Sequence, residues 1–229
     1  MMASQREGFR LDEEEEEEEE EKTPRMPDQD FMMQRFLKTR TVLLTGEINK
    51  DSGERVIRQL LLMEAMGSDP IKVFIDSPGG DVDAGFAIYD MMRFINAPVY
   101  TIGMGLVASA AALILISAPA ERRLGLPNSH YLIHQPLSGM RGVATEIEIH
   151  ARELEKVKTK LTRLTAEATG KELSQVEKDM DRDYWMASEE AIQYGLISKI
   201  VGSRQDLPVC SKNKSKPSSR TPVGESPRT

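Results

Sequence analysis

Apolar residues along this chain follow two rhythms that take turns. Short unbroken runs at Thr41–Leu44 (within TVLLTG) and Ile71–Ile75 (IKVFI) have the length and β-branched content of buried strands. Between them, Ser52–Met66 places Val56, Ile57, Leu60, Leu61 and Met63 at helical spacing, with Ser52 as the expected N-cap and Gly67 as the stop. The same alternation predicts a helix from about Val82 to Phe94, then a strand from Val99 and a turn at Gly103–Gly105. A helix at Ser109 and a strand over Tyr131–His134 come next. Phe31–Leu37 reads as a short apolar lead-in.

Beyond the Gly139–Gly142 loop, Ile147, Leu154, Leu161 and Ala168 recur every seven residues, with His150, Val157 and Leu164 on the adjacent seam. A stripe of that kind, on a helix ended by Gly170, calls for a partner helix. Ser174 and Glu177 have the spacing of a capping box for a helix running to about Arg182. Ser188 is the expected cap of a short helix ended by Gly195, and Leu196–Val201 is a last strand. Strands that alternate with helices predict an α/β fold with mainly parallel sheets.

Charge divides the chain into a body and two tails. Asp12–Lys22 holds ten acidic residues against one lysine, so this block alone carries −9 and the rest of the −7 chain is about +2. A run that repels itself and buries nothing predicts disorder, here over residues 1–30. From Ser203 the composition turns to Ser, Lys, Pro and Arg without apolar period, a second predicted tail over 203–229. The folded body is then expected over residues 31–202, one domain with a sizeable core.

The single cysteine, Cys210, allows no disulfide within the chain and no cysteine metal cluster, which suits a reducing cytoplasm. The N-terminal stretch has no apolar signal core and is too acidic for a transit peptide. The body shows no basic stripe with interleaved aromatics, which argues against a nucleic-acid partner. No charge falls between Arg93 and Glu121, long enough to cross a bilayer. Pro98, Gly103, Gly105 and Pro119 interrupt it, so a buried strand and helix, rather than a membrane span, are predicted.

The chemistry centres on Ser109, set in the small-residue stretch VASAAA at the start of a helix. A serine becomes a nucleophile when a base takes its proton, a third group orients the base, and donors await the oxyanion. The next residue, Ala110, offers a backbone N–H there, and the glycines of SPGGD leave backbone N–H groups uncovered at a second strand-to-helix turn. His130, His134 and His150 are the available bases. His134 stands where the chain leaves its strand, His130 opens that strand, and His150 lies on the long helix's seam. Asp179, Asp181 and Asp183, beside the only tryptophan, are candidates for the third group, and residue chemistry leaves the choice among them open.

Five segments in order, SPGGDVDAGFAIYDMM, TIGMGLVASAAALIL, LPNSHYLIHQPLSG, ATEIEIHARELEKVK and DRDYWMASEEAIQYGLI, resemble the Clp protease proteolytic subunit, ClpP, from about Thr41 to Val201. The resemblance implies a serine endopeptidase with Ser109 as nucleophile, His134 as base and Asp183 as third member. Gly80 and Ala110 would supply the oxyanion N–H groups. It further implies a crotonase-like spiral of β-β-α units with a protruding strand-helix handle, seven to a ring, two rings stacked through their handles.

Asp181 and Arg182 fall where the family makes a ring-to-ring contact. Phe74, Phe94, Met104 and Leu126 fall where an AAA+ unfoldase of the ClpX, ClpA or ClpC type docks. The implied substrates are unfolded proteins, and no cofactor is implied for this subunit, ATP being used by the unfoldase. Lys72 stands in place of an aromatic at the docking face, Asp76 in place of an asparagine before SPGG, Leu106-Val107 in place of Gln-Ala, and Val143 in place of a glutamine. With the glutamate block in place of a gating hairpin, these departures fit either a charged pore fringe or a subunit specialised for a mixed ring with a second paralog, the latter being preferred. The alternative is a silent ring subunit that scaffolds an active paralog.

Overall fold

A computed structural model describes residues 27–207. The glutamate block and most of the Ser/Lys/Pro/Arg stretch lie outside these residues. The chain runs α1 (Pro27–Thr39), β1 (Thr41–Thr45), α2 (Lys50–Met66), β2 (Ile71–Ser77), α3 (Val82–Phe94), β3 (Val99–Ala108) and α4 (Ala110–Leu115). It continues through β4 (Arg123–Gly125), β5 (His130–Ile133), α5 (Ala144–Thr169), α6 (Leu173–Asp179), β6 (Tyr184–Ala187), α7 (Ser188–Tyr194) and β7 (Lys199–Ile200).

The strands form one sheet in the order β1-β2-β3-β4-β7, with β5 paired to β3 and β6 paired to β5. Every pairing is parallel except β5 with β6. The alternation of strand and helix therefore gives the expected α/β sheet, and the exception turns out to build the site.

One face of the sheet carries the main core. Val42 and Leu44 of β1, Ile71, Val73 and Ile75 of β2, and Val56, Leu60 and Met63 of α2 are all sealed from solvent there. The opposite face holds a smaller cluster of Ile102, Leu124 and Val201, flanked by Phe74, Tyr100, Leu126 and Leu207. Two arginines are buried without an ion pair among the described residues, each on helix ends whose last carbonyls lack intrahelical partners. Arg40 donates to the carbonyls of Met63, Gly67 and Asp69 at the end of α2. Arg123 donates to Ala168 of α5 and to Gly195 after α7.

The structure revises several local expectations. The lead-in at Phe31–Leu37 is part of α1. The cap of α2 is Asn49, not Ser52: the Asn49 side chain accepts the Ser52 N–H while the Ser52 hydroxyl accepts the Asn49 N–H, a reciprocal box with Ser52 in the third helical position. The pair Ser174 and Glu177 makes no box, because α6 begins two residues earlier than that cap requires, with Glu172 at its cap, and ends at Asp179. Ser188 is the first residue of α7 rather than its cap, and its hydroxyl donates to the Leu126 and Ser129 carbonyls. The last strand shortens to Lys199–Ile200. β4 and β6, three and four residues long, carry too little pattern to be read from sequence.

The expected turn at Gly103–Gly105 is a kink inside β3. Residues 101–103 pair with β4 and residues 106–108 pair with β5, so the strand changes partner across Gly105, whose φ is +57°. The ladder to β2 shifts register at the same place. Asp76 fills the gap, its carboxylate accepting the Leu106 N–H at 3.0 Å, and a Cβ at position 105 would meet that carboxylate at 2.7 Å. The uncharged stretch from Phe94 to Ala120 forms β3 and α4, and no helix among the described residues is long and apolar enough to cross a membrane.

Candidate active site

Two strand-to-helix turns meet at Ser109. The serine lies between β3 and α4 at φ +58° and ψ −121°, a backbone conformation that an L side chain rarely adopts and that functional sites hold under strain. Its neighbours fix it there. The Ser109 N–H donates to the Leu132 carbonyl of β5 at 2.9 Å, and the Ser109 carbonyl accepts the Ala112 and Leu113 N–H groups.

The SPGG turn after β2 packs directly beneath. A Cβ at Gly79 would come within 2.7 Å of the Ser109 Cβ and of the Ala108 carbonyl, and a Cβ at Gly80 would overlap the Ile48 carbonyl oxygen. Both glycines have positive φ, so no other residue satisfies the turn. Ile48 grips this turn from both sides, its N–H donating to Gly79 and its carbonyl accepting from Asp81. Among the described residues the N–H groups of Gly80 and Ala110 have no hydrogen-bond partner.

His134 arrives from the other direction. It is the first residue after β5, and the antiparallel register that pairs Ile133 with Tyr184 sets His134 opposite Asp183 when carried one residue further. The His134 Nδ1 is 3.2 Å from Asp183 Oδ1, with the imidazole largely covered and the carboxylate 62% exposed. Gln135 ties the following chain to the same turn, its N–H donating to Met180 and its side-chain amide to the Asp181 carbonyl. Ser109 and His134 line one pocket, walled by apolar groups such as Val82, Leu113, Ile133 and Met180. No hydrogen bond joins the serine hydroxyl to the imidazole among the described residues. Of the expected line of three groups, the histidine–aspartate half is closed and the serine–histidine half is open.

The alternatives separate cleanly. Asp179 is occupied by the Tyr194 hydroxyl at 3.0 Å and the Gln175 side chain at 2.7 Å. The Tyr194 hydroxyl is pushed up by its burial first and by the Asp179 carboxylate second. His150 is bonded to the Ser138 hydroxyl at 2.7 Å, and His130 stands exposed at the start of β5. Asp181 and Arg182 are exposed and form no ion pair within the described residues. Of the four candidate docking residues, Phe74 and Leu126 share the smaller cluster, while Met104 is half-buried outside it and Phe94 stands 79% exposed at the end of α3. Lys72 is buried on the same side of β2 as Phe74, paired across the ladder with Tyr100. Sequence reasoning missed Thr165 and Met180 as pocket walls; the only trace of them is that Thr165 follows Leu161 by one helical turn.

The model of the Clp protease family matches residues 25–204. The chain belongs to the Clp protease family. Among similar proteins is the ATP-dependent Clp protease proteolytic subunit 2 of Treponema denticola, 63% identical over 182 residues that make up 79% of this chain and 91% of that protein. The ATP-dependent Clp protease proteolytic subunit 3 of Rhizobium etli is 45% identical over 186 residues, 81% of this chain and 96% of that protein. Among solved structures, a mutant ClpP1 from Listeria monocytogenes superposes with a TM-score of 0.72 at 45% identity, covering 76% of this chain and 98% of that one. The fold is thus that of ClpP, and by family the chain is a serine-type endopeptidase, a proteolytic subunit of a compartmentalised protease.

Proposed function

We propose that this Clp protease subunit is itself catalytically active and hydrolyses unfolded polypeptides through an acyl-enzyme. The observation that carries the proposal is the pair of unpartnered N–H groups at Gly80 and Ala110, held on either side of a strained serine by turns that exclude any other backbone path. Preorganised donors aimed at a developing oxyanion are the largest single contribution to acyl transfer. Ser109 Oγ attacks the peptide carbonyl and passes its proton to His134 Nε2. Asp183, on Nδ1, holds the tautomer that accepts it. The protonated imidazole then gives that proton to the leaving amine, and a water activated by the same histidine releases the acyl group.

The chain needs no cofactor for these steps. It works in stacked heptameric rings with itself or a paralog, in the cytoplasm, fed by an AAA+ unfoldase of the ClpX, ClpA or ClpC type that consumes the ATP. The open serine–histidine gap closes on assembly or substrate binding, as catalytic hydrogen bonds often tighten only in the working complex. The test is fluorophosphonate labelling of the assembled ring. A stoichiometric adduct on Ser109, absent in His134→Ala, is expected. An assembled ring left unlabelled leaves the silent scaffold as the correct reading.

A further inference from the structure

The pocket beside Ser109 is apolar with one exception. Besides Ser109 and His134, which belong to the reaction itself, the only polar side chain in its wall among the described residues is Thr165 of α5. Thr165 is buried, with 6% of its surface exposed. A threonine buried in a helix ordinarily returns its hydroxyl to the carbonyl four residues back. Thr159, Thr162 and Thr169 of the same helix all do so, to Glu155, Lys158 and Thr165. The Thr165 hydroxyl makes no such bond and no other among the described residues, and it is not among the atoms sealed from solvent. Thr165 therefore brings an unsatisfied hydroxyl to the wall of a cavity that is also lined by Leu161, Leu113, Ile116, Met180 and Leu196.

We infer that Thr165 is a specificity-determining residue. Its hydroxyl receives the tip of the substrate side chain that precedes the scissile bond, so the pocket accepts an apolar stem ending in an uncharged hydrogen-bonding group, as in glutamine, alongside methionine of similar length. Desolvating an amide into this cavity without a partner would be costly, and one neutral hydrogen bond recovers a large part of that cost. This assignment rests on the peptidase reading of Ser109.

The test uses internally quenched peptides that differ only in glutamine or methionine before the cleaved bond. Rates are measured on the assembled ring, with the Ser109→Ala ring subtracted. Thr165→Val, which keeps the shape and removes the hydroxyl, is expected to lower the glutamine-to-methionine ratio of kcat/KM by about tenfold, and Thr165→Ser is expected to retain it. A ratio unmoved by Thr165→Val overturns the assignment while leaving the peptidase reading intact. If that variant does not assemble, the unaltered ring decides: glutamine peptides cleaved within about tenfold of methionine peptides support the hydroxyl's role, and no cleavage after glutamine removes it. A ring that cleaves neither peptide and leaves Ser109 unlabelled takes both readings down together.

Discussion

The two sides of the candidate site are built in opposite ways. On the nucleophile side, two turns interlock so tightly that Gly79 and Gly80 have no room for a Cβ, and Ser109 is tied to β5 by its own backbone. On the base side, a covered imidazole leans on a carboxylate that is 62% exposed, at the end of a four-residue strand. The loop that follows bears Leu137 at 79% and Val143 at 63% exposure. The first side is complete within one chain. The second carries apolar surface with no cover of its own, and that is where a neighbouring subunit has something to add. Under the proposed function, the candidate oxyanion donors and nucleophile are fixed by folding, while the candidate proton relay is left for assembly or substrate binding to finish.

Four substitutions test this contrast. Ser109→Ala should remove about three or more orders of magnitude in kcat while rings still form, read by peptide hydrolysis alongside native mass spectrometry. Asp183→Asn should cost about a hundredfold or more in the assembled ring, because the His134 tautomer loses its orienting acceptor; activity close to that of the unaltered ring would mean that the exposed carboxylate plays no part.

The glycines give a matched pair. Gly80→Ala, which drives a methyl into the Ile48 carbonyl at φ +143°, should destabilise the subunit by about 3 kcal/mol or more. Gly139→Ala, with nothing within 4 Å on the open side, should change stability by less than about 0.5 kcal/mol. Denaturant melts of both variants compare the two sides directly.

The last test concerns the packing under β3. Tyr131 is fully buried, and burial pushes its phenol up to about 12, an effect that the nearby Ser129 and Ser188 hydroxyls offset only in part. Neither hydroxyl is aligned to bond its oxygen, which makes no hydrogen bond among the described residues, and a Cβ at Gly103 would lie 2.6 Å from it. A phenol whose folded pKa is raised contributes stability that is full below pH 10 and lost as pH climbs toward 12. The unaltered subunit should therefore lose about 2 kcal/mol relative to Tyr131→Phe across that window. Parallel stability curves for the two would remove the prediction.

Much of this arrangement is legible in the sequence because it is local. Gly-Gly between a strand and a helix, a serine at a helix start, and a histidine at a strand's end each follow from neighbours within a few positions. The third group is different. Asp179, Asp181 and Asp183 are equivalent in composition, and only the β5–β6 register, which pairs residues about fifty positions apart, turns the last toward His134. The kink at Gly105 hid for the same reason: its glycines read as a turn, whereas a change of strand partner and the Asp76 carboxylate keep the strand going. Threonines on a helix look alike in sequence, and nothing local distinguishes the unbonded hydroxyl of Thr165 from its self-satisfied neighbours.

Helix α5 is unbroken for 26 residues, about 39 Å at the usual rise. Its final turns form part of the pocket wall, with the Ala168 carbonyl held by Arg123, while its opening turns leave Ile147 and Ile149 exposed to solvent. Such a rod is a lever with a clamped short arm and a free long one. In the proposed stacked-ring assembly, a grip on the long arm would bear on the pocket beside Ser109, making the joining of rings and the shaping of that pocket mechanically a single event.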